Sequence, residues 1–485
     1  MPGYKTTIGL EIHAELKTHT KMFCASLNDP DEKEPNKNVC PICMGHPGTL
    51  PVPNIEAIKK VIQVGKALNC KISEFSKFDR KNYFYPDLPK GYQISQYDKP
   101  FCGAGYLDIG EKKIRITRIH LEEDAGRLVH PRGADYSLVD FNRAGVPLME
   151  LVTEPDIETS EQARRFAEEL QLILRYLDAS DADMEKGQMR VEVNISLSKD
   201  KKLGTKVEIK NLNSFRAVDR TIFYEIERQT EILDSGEKVI QETRGWDEST
   251  GKTFSQRIKE EAHEYRYFPE PDIPPIKLTD ELKMTLPELP QNKRRRFIEE
   301  FKIDPKLVEI FVRDPELADY YEEVISEVGS WEEYGGHDNE SKDARQKLMT
   351  LAANYLTSDL RGLLEGKKLV ISEHIISPEN FAEFVWLIHA GKLSSRGAKD
   401  LLPEMLATGG DPSTLMDKKG LRQVSDEGAL DAIVGKVIKG NADAVKKYKA
   451  GNENLLQFLV GQVMKESKGS ANPQVAAEIL KKKLS

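Results

Sequence analysis

The chain has 485 residues, of which 39% are hydrophobic and 31% are charged, and its formal net charge at pH 7 is −9. This length exceeds what one hydrophobic core serves and predicts two to four domains. Five cysteines are too few for a disulfide framework, and neither a signal peptide nor a run of about 18 apolar residues is present. We therefore expect a cytoplasmic protein that does not enter a membrane.

The charge is distributed unevenly along the chain. Residues 431–485 contain ten Lys and five Asp or Glu, so the C-terminal segment is basic while the rest of the chain is acidic. A basic tail on an acidic body is typical of proteins whose tail contacts nucleic acid. A solvated, Lys-rich helical surface explains the same counts, and charge alone does not decide between the two.

Near the N-terminus, residues 8–16 alternate between apolar and polar side chains. A strand has a side-chain period of two, so one face is predicted to be core and the other to carry Glu11, His13 and Glu15. Glu is a poor strand former, and adjacent like charges repel each other. The pattern favours the floor of an active site, although a solvated outer face remains the alternative.

Further along the chain, period-two alternation at 190–197 and 206–209 and from Ile114 predicts strands, and the stripe at 160–178 predicts a helix. The prolines between Pro269 and Pro290 mark a boundary. The sequence beyond it is helical, with a break at 409–412 and a last helix starting at Asn472-Pro473. We predict an α+β fold with domains at 1–292, 293–408 and 409–485.

Two acidic segments accompany the first strand. His120 is followed by Glu122, Glu123 and Asp124, and Glu150 stands within an apolar run. A carboxylate buried in such a run requires a partner. If Glu11, His13, Glu123 and Glu150 converge, they form a site for Mg²⁺ and nucleotide phosphates. Scattered salt bridges are the alternative.

Four segments interleave aromatic, basic and polar side chains: 78–87, 90–98, 208–216 and 265–272. This mixture is poor for a core and is typical of a loop that binds a planar ligand, such as adenine or an unpaired base. Ordered structural loops would have a similar composition.

Cys24, Cys40 and Cys43 form a candidate zinc site, because Cys-Pro-Ile-Cys has the two-residue spacing of many such sites. Three thiolates do not complete a structural tetrahedron. His46 is a possible fourth ligand, and position 26 holds Ser26 where another cysteine might stand. Whether zinc is bound stays open.

Several catalytic classes are excluded by their missing motifs. The glycines around Lys252-Thr253 have the wrong spacing for a Walker loop, and no strand leads into them. No Gly-x-Ser-x-Gly elbow is present, and no cysteine has an evident base beside it. If acyl or nitrogen chemistry takes place here, its nucleophile is supplied by another chain.

Together these segments resemble the B subunits of the aspartyl/glutamyl-tRNA amidotransferases along essentially the whole chain. The resemblance is carried by Gly9–Leu16, Phe78–Asp87, His120–Gly126, Glu208–Phe215, Tyr265–Asp272 and the tail segments Phe458–Lys465 and Gly469–Pro473. It implies a cradle around an antiparallel sheet, similar to the catalytic fold of glutamine synthetase, then a helical domain and a helical tail that grip tRNA.

The resemblance also implies an activity. The chain would bind Glu-tRNA(Gln) or Asp-tRNA(Asn) and phosphorylate the side-chain carboxylate with ATP and Mg²⁺. Ammonia from a partner amidase (glutaminase), the A subunit, would then form the amide, and the small C subunit would complete a heterotrimer. Glu11, His13, Glu123 and Glu150 match the family's kinase and metal positions, and Lys81 and Tyr83 are expected near the nucleotide or the acceptor end of the tRNA. Zinc is in doubt because members with the metal have four cysteines.

Two other functions compete with this one. The chain could be a tRNA-binding scaffold with a decayed kinase site, against which the intact set Glu11, His13, Glu123 and Glu150 argues. It could also be a stand-alone carboxylate–ammonia ligase acting on a small molecule, against which the basic helical tail argues.

Overall fold

The computed structural model describes residues 3–200, 202–258, 265–278, 284–335, 341–367, 369, 371, 376–423, 427–450, 452–467 and 471–484. Gly469 and Ser470 of the tail motif and residues 279–283 of the proline-rich segment lie outside these ranges. The chain forms two compact units, Met1–Pro290 and Gln291–Ser485. Each unit is described by itself.

In its described residues the first unit contains short and long strands and three helices. Its strands are, in chain order, β1 (Lys5–Glu15), β2 (Phe75–Ser76), β3 (Asp79–Asn82), β4 (Tyr92–Ser95), β5 (Gly105–Asp108), β6 (Lys113–Glu123), β7 (Arg127–Val129), β8 (Leu138–Asp140), β9 (Pro147–Thr153), β10 (Met189–Ser198), β11 (Val207–Leu212), β12 (Glu242–Asp247), β13 (Lys252–Ile258), β14 (Phe268–Pro269) and β15 (Ile276–Lys277). Its helices are α1 (Ile55–Ala67), α2 (Ser160–Tyr176) and α3 (Phe215–Asp234).

An eight-stranded sheet in the order β13-β12-β11-β10-β1-β9-β6-β5 organises this unit. Its neighbouring strands are antiparallel except for the parallel pair β11 and β12. A three-stranded sheet, β14-β3-β4, lies beside it in the same unit, because β4 also packs against β6. The long strand β1 is central, with β10 on one side and β9 on the other.

The helices of the first unit cover one face of the main sheet. α1 packs against β6, α2 against β1, and α3 against β10, β11 and β13. Side-chain oxygens of Asn54, Thr159 and Ser214 accept backbone N–H groups at the starts of these helices, as N-caps do. The apolar side chains of β1 (Ile8, Leu10, Ile12 and Ala14) are fully buried in this core. The opposite face of β1 is left for polar side chains.

The second unit is helical in its described residues. Its helices are α4 (Pro290–Glu299), α5 (Pro305–Arg313), α6 (Pro315–Gly335), α7 (Ser341–Tyr355), α8 (Arg361–Lys367), α9 (Pro378–His389), α10 (Ser395–Thr408), α11 (Pro412–Lys418), α12 (Glu427–Gly440), α13 (Ala442–Lys449), α14 (Leu455–Glu466) and α15 (Pro473–Leu484). A π-helical turn, Leu356–Leu360, joins α7 to α8. No described helix combines the length and the apolar character that crossing a bilayer requires.

Two parts of the second unit have packing of their own. α6 packs against α7 and α9, and α11 packs against both α9 and α10. α12, α14 and α15 surround a separate core that includes Leu430, Leu459 and Leu480. Gly409, at φ +63°, ends α10 in the left-handed conformation, and Asp411 caps the start of α11. The predicted break at 409–412 therefore lies between two consecutive helices, α10 and α11.

The coarse prediction of fold class is confirmed: a largely antiparallel sheet is followed by a helical region. The alternating segments at 8–16, 114–116, 190–197 and 206–209 lie in or overlap β1, β6, β10 and β11, and the helical stripe at 160–178 is α2. Asn472 Oδ1 accepts the backbone N–H of Gln474 at 2.9 Å, so the predicted start of the last helix is also confirmed. The three-domain division stays a prediction.

Candidate active site

The polar face of the main sheet brings together side chains from adjacent strands. In the β1–β9 ladder His13 is opposite Glu150, and in the β6–β9 ladder Glu150 is opposite His120. On the other side of β1, Glu11 is opposite Glu192 of β10. Because residues two apart on a strand share a face, Glu11 and His13 begin two neighbouring groups of ligand-type side chains.

The first group, here called the histidine–carboxylate group, consists of His13, His120, Glu122 and Glu150. Both histidines place Nε2 near Oε2 of Glu150, at 3.3 Å from His13 and 3.4 Å from His120. His120 Nε2 is also 3.6 Å from Oε2 of Glu122. The Ser95 hydroxyl donates to the same Glu122 oxygen at 2.8 Å. His120, Glu122 and Glu150 are buried and the His13 side chain is 14% exposed, so the charges of the group must compensate one another.

The protonation equilibria of this group reflect that compensation. Burial disfavours the charged His120 ring, but the neighbouring Glu150 and Glu122 carboxylates outweigh burial and raise the pKa of His120 to about 9. Burial opposes the charge of His13 as well, and Glu150 again raises the pKa of this histidine. Conversely, the two histidines overcome desolvation and hold the pKa of Glu150 well below its usual range. Without a metal the group is a proton-rich ionic cluster.

The second group, here called the three-glutamate group, consists of Glu11, Glu192 and Glu208. One carboxylate oxygen of each lies within 4.8 Å of the others. Lys210 Nζ lies 2.8 Å from Glu192 and 3.5 Å from Glu208, and the Asn194 amide donates to Glu11 at 2.9 Å. The Lys210 ammonium therefore contacts a group of neighbouring carboxylates in a mostly buried place.

These two groups are suited to cations. His13, Glu122 and Glu150 also offer ligand atoms within 4.8 Å of one another. Among the described residues, the buried atoms Nδ1 of His13, Nδ1 of His120 and Oδ1 of Asn194 have no hydrogen-bond partner. Buried polar atoms are normally satisfied, so these three indicate that ligands or water complete the site. Carboxylate and amide oxygens are the ligands that Mg²⁺ prefers.

Lys81 borders the histidine–carboxylate group from β3. Its Nζ is 3.8 Å from Oε2 of Glu122 and 5.4 Å from the centre of the Tyr265 ring. Burial opposes its charge, but Glu122 and Glu150 raise the pKa of Lys81 well above the usual value. Tyr83 donates its hydroxyl to Oε1 of Gln93 at 3.1 Å. Lys81 therefore carries a positive charge at the edge of the site, and Tyr83 directly follows the end of β3.

The structure does not bring Glu123 together with the other predicted ligands. Its carboxylate contacts Lys90 at 2.5 and 2.6 Å and accepts the backbone N–H of Ile94 at 2.9 Å. Glu122, its neighbour in β6, joins the histidine–carboxylate group instead. Because adjacent strand residues point to opposite faces, only one of the two glutamates can do so.

The structure therefore brings together three of the four predicted ligands, and it adds residues that were not predicted. Glu11, His13 and Glu150 lie on one face, in two groups rather than one. Sequence reasoning missed His120, Glu122, Glu192, Glu208 and Lys210. The signal for Glu122 and Glu192 was present, since each shares the polar side of an alternating strand. Glu208 also stands on the polar side of an alternating segment, 206–209, but its position beside Glu11 depends on strand pairing.

The three predicted cysteines form a compact cluster in the first unit. Sγ atoms of Cys24, Cys40 and Cys43 lie within 4.8 Å of one another, and those of Cys40 and Cys43 are 3.9 Å apart. The buried ammonium of Lys21 is 3.8 Å from Cys43 Sγ, and the Ser26 hydroxyl is 3.9 Å from it. A hydrogen bond with Cys24, opposed by burial, lowers the pKa of the Cys43 thiol to about 4.

This cluster has the dimensions of a zinc site. Zinc–sulfur bonds of about 2.3 Å in a tetrahedron separate the sulfur atoms by about 3.8 Å. The separation of Cys40 and Cys43 is close to this value, and the three sulfur atoms together could hold a metal ion. His46 is not part of the cluster of three ligand atoms.

Comparison with known proteins agrees with the geometry. The family model of the GatB/GatE catalytic domain matches residues 6–284, and that of the GatB domain matches residues 340–484. The B subunit of the aspartyl/glutamyl-tRNA(Asn/Gln) amidotransferase of Persephonella marina is 48% identical over 491 residues, which cover 99% of both chains. This chain belongs to the family of amidotransferase B subunits.

Other members are similarly close. The B subunit of Carboxydothermus hydrogenoformans is 46% identical over 497 residues, covering 100% of this chain and 99% of its own. That of Thermotoga maritima is 46% identical over 495 residues, with 99% of each chain covered. Members of this family belong to tRNA-dependent amidotransferases, glutamine-dependent ligases that form Gln-tRNA or Asn-tRNA. Both ligand groups and the cysteine cluster lie within the part matched by the catalytic-domain model.

Proposed function

We propose that the polar face of the main sheet is the centre at which this chain phosphorylates the side-chain carboxylate of Glu-tRNA(Gln) or Asp-tRNA(Asn) with ATP. A carboxylate accepts ammonia poorly because its oxygen is a poor leaving group. The acyl phosphate has a good leaving group, and ammonia displaces phosphate to give the amide. Membership of the B-subunit family and two cation-binding groups on one sheet face support this function.

The observation that carries the proposal is the position of Glu11 and His13. They are two residues apart on one strand, so about 6.6 Å of rise separates the groups that they begin. The three-glutamate group and the histidine–carboxylate group would each hold Mg²⁺. When bound, Mg²⁺ neutralises phosphate charge and orients the transferring group.

The chain's own residues have separable tasks in this reaction. Glu122, rather than Glu123, would complete the ligand set with His13 and Glu150, because only Glu122 lies in that group. Lys81 would contact phosphate oxygens with a charge that its carboxylate neighbours maintain. Tyr83 would lie at the entrance, near the nucleotide or the acceptor end. Exclusion of water by the buried walls protects the acyl phosphate from hydrolysis.

The partners follow from the same chemistry. No amidase nucleophile is evident in the chain, so ammonia would come from glutamine hydrolysed by the amidase, or A, subunit, while the small C subunit would complete a heterotrimer. The finer fold relation that we propose, to the catalytic domain of glutamine synthetase, fits this order of carboxylate phosphorylation and ammonia attack. The tail would contact tRNA through basic helices, of which α13 has Lys446, Lys447 and Lys449 in its last turn.

The deciding experiment measures ATP cleavage by the assembled amidotransferase. Mischarged Glu-tRNA(Gln) and Asp-tRNA(Asn) are each compared with the same tRNA without an amino acid. Stimulation by the charged forms alone supports carboxylate activation and shows which amino acid is accepted. Equal or absent ATP cleavage with all tRNAs, while tRNA still binds, contradicts the proposal and favours a tRNA-binding scaffold with a decayed kinase site.

We further propose zinc as the ligand of the cysteine cluster. Cys24, Cys40 and Cys43 would supply three thiolates, whose sulfur atoms lie within 4.8 Å of one another, and the Ser26 hydroxyl, 3.9 Å from Cys43 Sγ, would be the fourth ligand. The buried Lys21 ammonium offsets the excess negative charge of three thiolates around a divalent ion. Elemental analysis of protein purified without added metal tests this, since one zinc per chain is expected and none contradicts it.

A further inference from the structure

Thr243 of β12 lies at the edge of the three-glutamate group. In the parallel β11–β12 ladder it is opposite Glu208, and its hydroxyl donates to Oε2 of the Glu208 carboxylate at 2.8 Å. Both residues are buried. A hydrogen bond to a charged acceptor is stronger than one between neutral groups, and burial removes the water that would compete for it. The Thr243 hydroxyl therefore restrains one of the three carboxylates.

Each carboxylate of the three-glutamate group accepts a hydrogen bond from a neighbouring side chain. The pairs are Glu11 with Asn194 at 2.9 Å, Glu192 with Lys210 at 2.8 Å and Glu208 with Thr243 at 2.8 Å. The glutamates lie on β1, β10 and β11, and two of the donors come from β10 and β11. Thr243 is the donor from a strand that carries none of the three glutamates. Its position therefore depends on what holds β12 in place.

Side chains hold β12 in place together with its backbone. Its parallel register with β11 covers two residue pairs. Glu242 and Arg244, on either side of Thr243, point to the opposite face, because adjacent strand residues alternate. There Arg244 Nε lies 3.3 Å from the buried Glu225 carboxylate of α3 and donates to the Thr253 hydroxyl of β13 at 2.8 Å. The Thr253 hydroxyl in turn donates to Glu225 at 2.6 Å. This network fixes β12 between α3 and β13.

We propose that Thr243 is a positioning residue for the cation of the three-glutamate group, and that its hydroxyl keeps the Glu208 carboxylate in the orientation that binds Mg²⁺. The inference rests on the proposed function, in which this group holds Mg²⁺. Three carboxylates within 4.8 Å of one another repel, so a carboxylate without a fixed donor would turn away from the other two. Loss of a hydrogen bond that orients a metal ligand typically weakens metal binding about 10- to 100-fold.

A purely structural role for Thr243 predicts a different behaviour. Val is also β-branched and is favoured in strands, so it would satisfy the same backbone conformation and fill nearly the same volume. Val lacks the hydroxyl, whereas Ser keeps the hydroxyl and lacks the methyl group. The two substitutions therefore separate the hydrogen bond to Glu208 from the packing of the side chain.

The test titrates Mg²⁺ alone into the assembled amidotransferase by calorimetry, in the absence of ATP and tRNA. It compares the wild type with Thr243→Val and Thr243→Ser, and Thr243→Ala is a second variant without the hydroxyl should Thr243→Val fail to fold. The matched control is Thr221→Val on α3. Thr221 is fully buried as well, and its hydroxyl has no hydrogen-bond partner among the described residues.

Thr243→Val should weaken the Mg²⁺ binding that Glu11→Gln also weakens, by about tenfold or more. Thr243→Ser and Thr221→Val should keep the wild-type affinity. Wild-type affinity in Thr243→Val would overturn the proposal. Equal losses in Thr243→Val and Thr243→Ser would also overturn it, because they would assign the effect to packing rather than to the hydroxyl.

These outcomes distinguish the role of Thr243 from the proposed reaction. The titration contains no ATP and no tRNA, so it requires no phosphorylated product. If charged tRNA fails to stimulate ATP cleavage but Thr243→Val weakens Mg²⁺ binding, the reaction fails while the positioning role stands. If Glu11→Gln weakens Mg²⁺ binding and Thr243→Val does not, only the positioning role fails. If neither variant weakens it, the assignment of Mg²⁺ to this group fails together with the positioning role.

Discussion

His120 and Glu150 face each other across the β6–β9 ladder, and their side chains meet with Nε2 3.4 Å from Oε2. His13 approaches the same oxygen from β1 at 3.3 Å. One buried carboxylate thus lies between two imidazoles, and it raises the pKa of each of them. A divalent cation bound at this place would compete with protons for the same side chains, so its binding would depend on pH.

The contact between His120 and Glu150 predicts how stability depends on pH in the metal-free protein. The pKa of His120 is raised to about 9 in the folded chain from an ordinary value near 6.5. Its stabilising contribution is therefore complete below about pH 6.5 and is lost as the pH rises through about 9. The melting temperature of the wild type should fall towards that of His120→Gln over this interval. His130→Gln, at an exposed histidine after β7, is the control, and a constant gap between wild type and His120→Gln would contradict the pKa.

Substitutions of the neighbouring residues Glu122 and Glu123 distinguish a cation ligand from a carboxylate in a structural ion pair. Glu122→Gln should weaken Mg²⁺ binding by at least about tenfold, because it removes a ligand charge from the histidine–carboxylate group. Glu123→Gln should leave Mg²⁺ affinity unchanged, since Glu123 contacts Lys90 and the Ile94 backbone. Titration calorimetry measures both. Equal loss in the two variants would place Glu123 at the metal as well.

The three-glutamate group predicts opposite effects with and without metal. Glu11→Gln removes one of three neighbouring carboxylates and keeps an oxygen for the Asn194 amide. The metal-free protein should become more stable by on the order of 1 kcal/mol, because like-charge repulsion falls. The extra stability that Mg²⁺ confers should fall at the same time. Denaturation with and without Mg²⁺ measures both, and a destabilised metal-free variant would show that the carboxylates are already compensated.

For the cysteine cluster we predict a substitution that strengthens zinc binding. Ser26→Cys places a fourth thiol where the Ser26 hydroxyl lies 3.9 Å from Cys43 Sγ. A four-thiolate site is the usual closed zinc site, so this variant should retain zinc against a chelator that strips the wild type. Cys43→Ser should retain less than the wild type. Equal zinc retention in all three would show that the metal, if present, is elsewhere.

Substitutions in the basic tail are expected to change the salt dependence of tRNA binding. Replacing Lys446, Lys447 and Lys449 of α13 by Gln should weaken tRNA binding and reduce the salt slope by about 0.7 to 0.9 for each lysine that contacts a phosphate. ATP cleavage at saturating tRNA should be unchanged. Replacing the exposed residues Glu237 and Lys238 of the first unit by Gln is the control. An unchanged slope in the α13 variant would remove this helix from the tRNA interface.

Several secondary-structure elements and part of the candidate site could be predicted from local sequence patterns. The alternation of β1 and β10 and the stripe of α2 predicted elements correctly, because side-chain period and burial are linked directly. The same alternation placed Glu11 and His13 on one polar face, opposite Leu10 and Ile12 in the core. The motifs along the chain were sufficient to identify the family of amidotransferase B subunits.

Tertiary structure decided which residues share each group. Glu122 and Glu123 are adjacent and chemically identical, and the pairing of β6 with β9, together with the packing of β6 against β4, sends one to His120 and the other to Lys90. Glu208 joins Glu11 because β10 lies between their strands with a particular register. Sequence determines period and composition locally, but a site made of side chains from several strands depends on strand order and register, which long-range pairing sets.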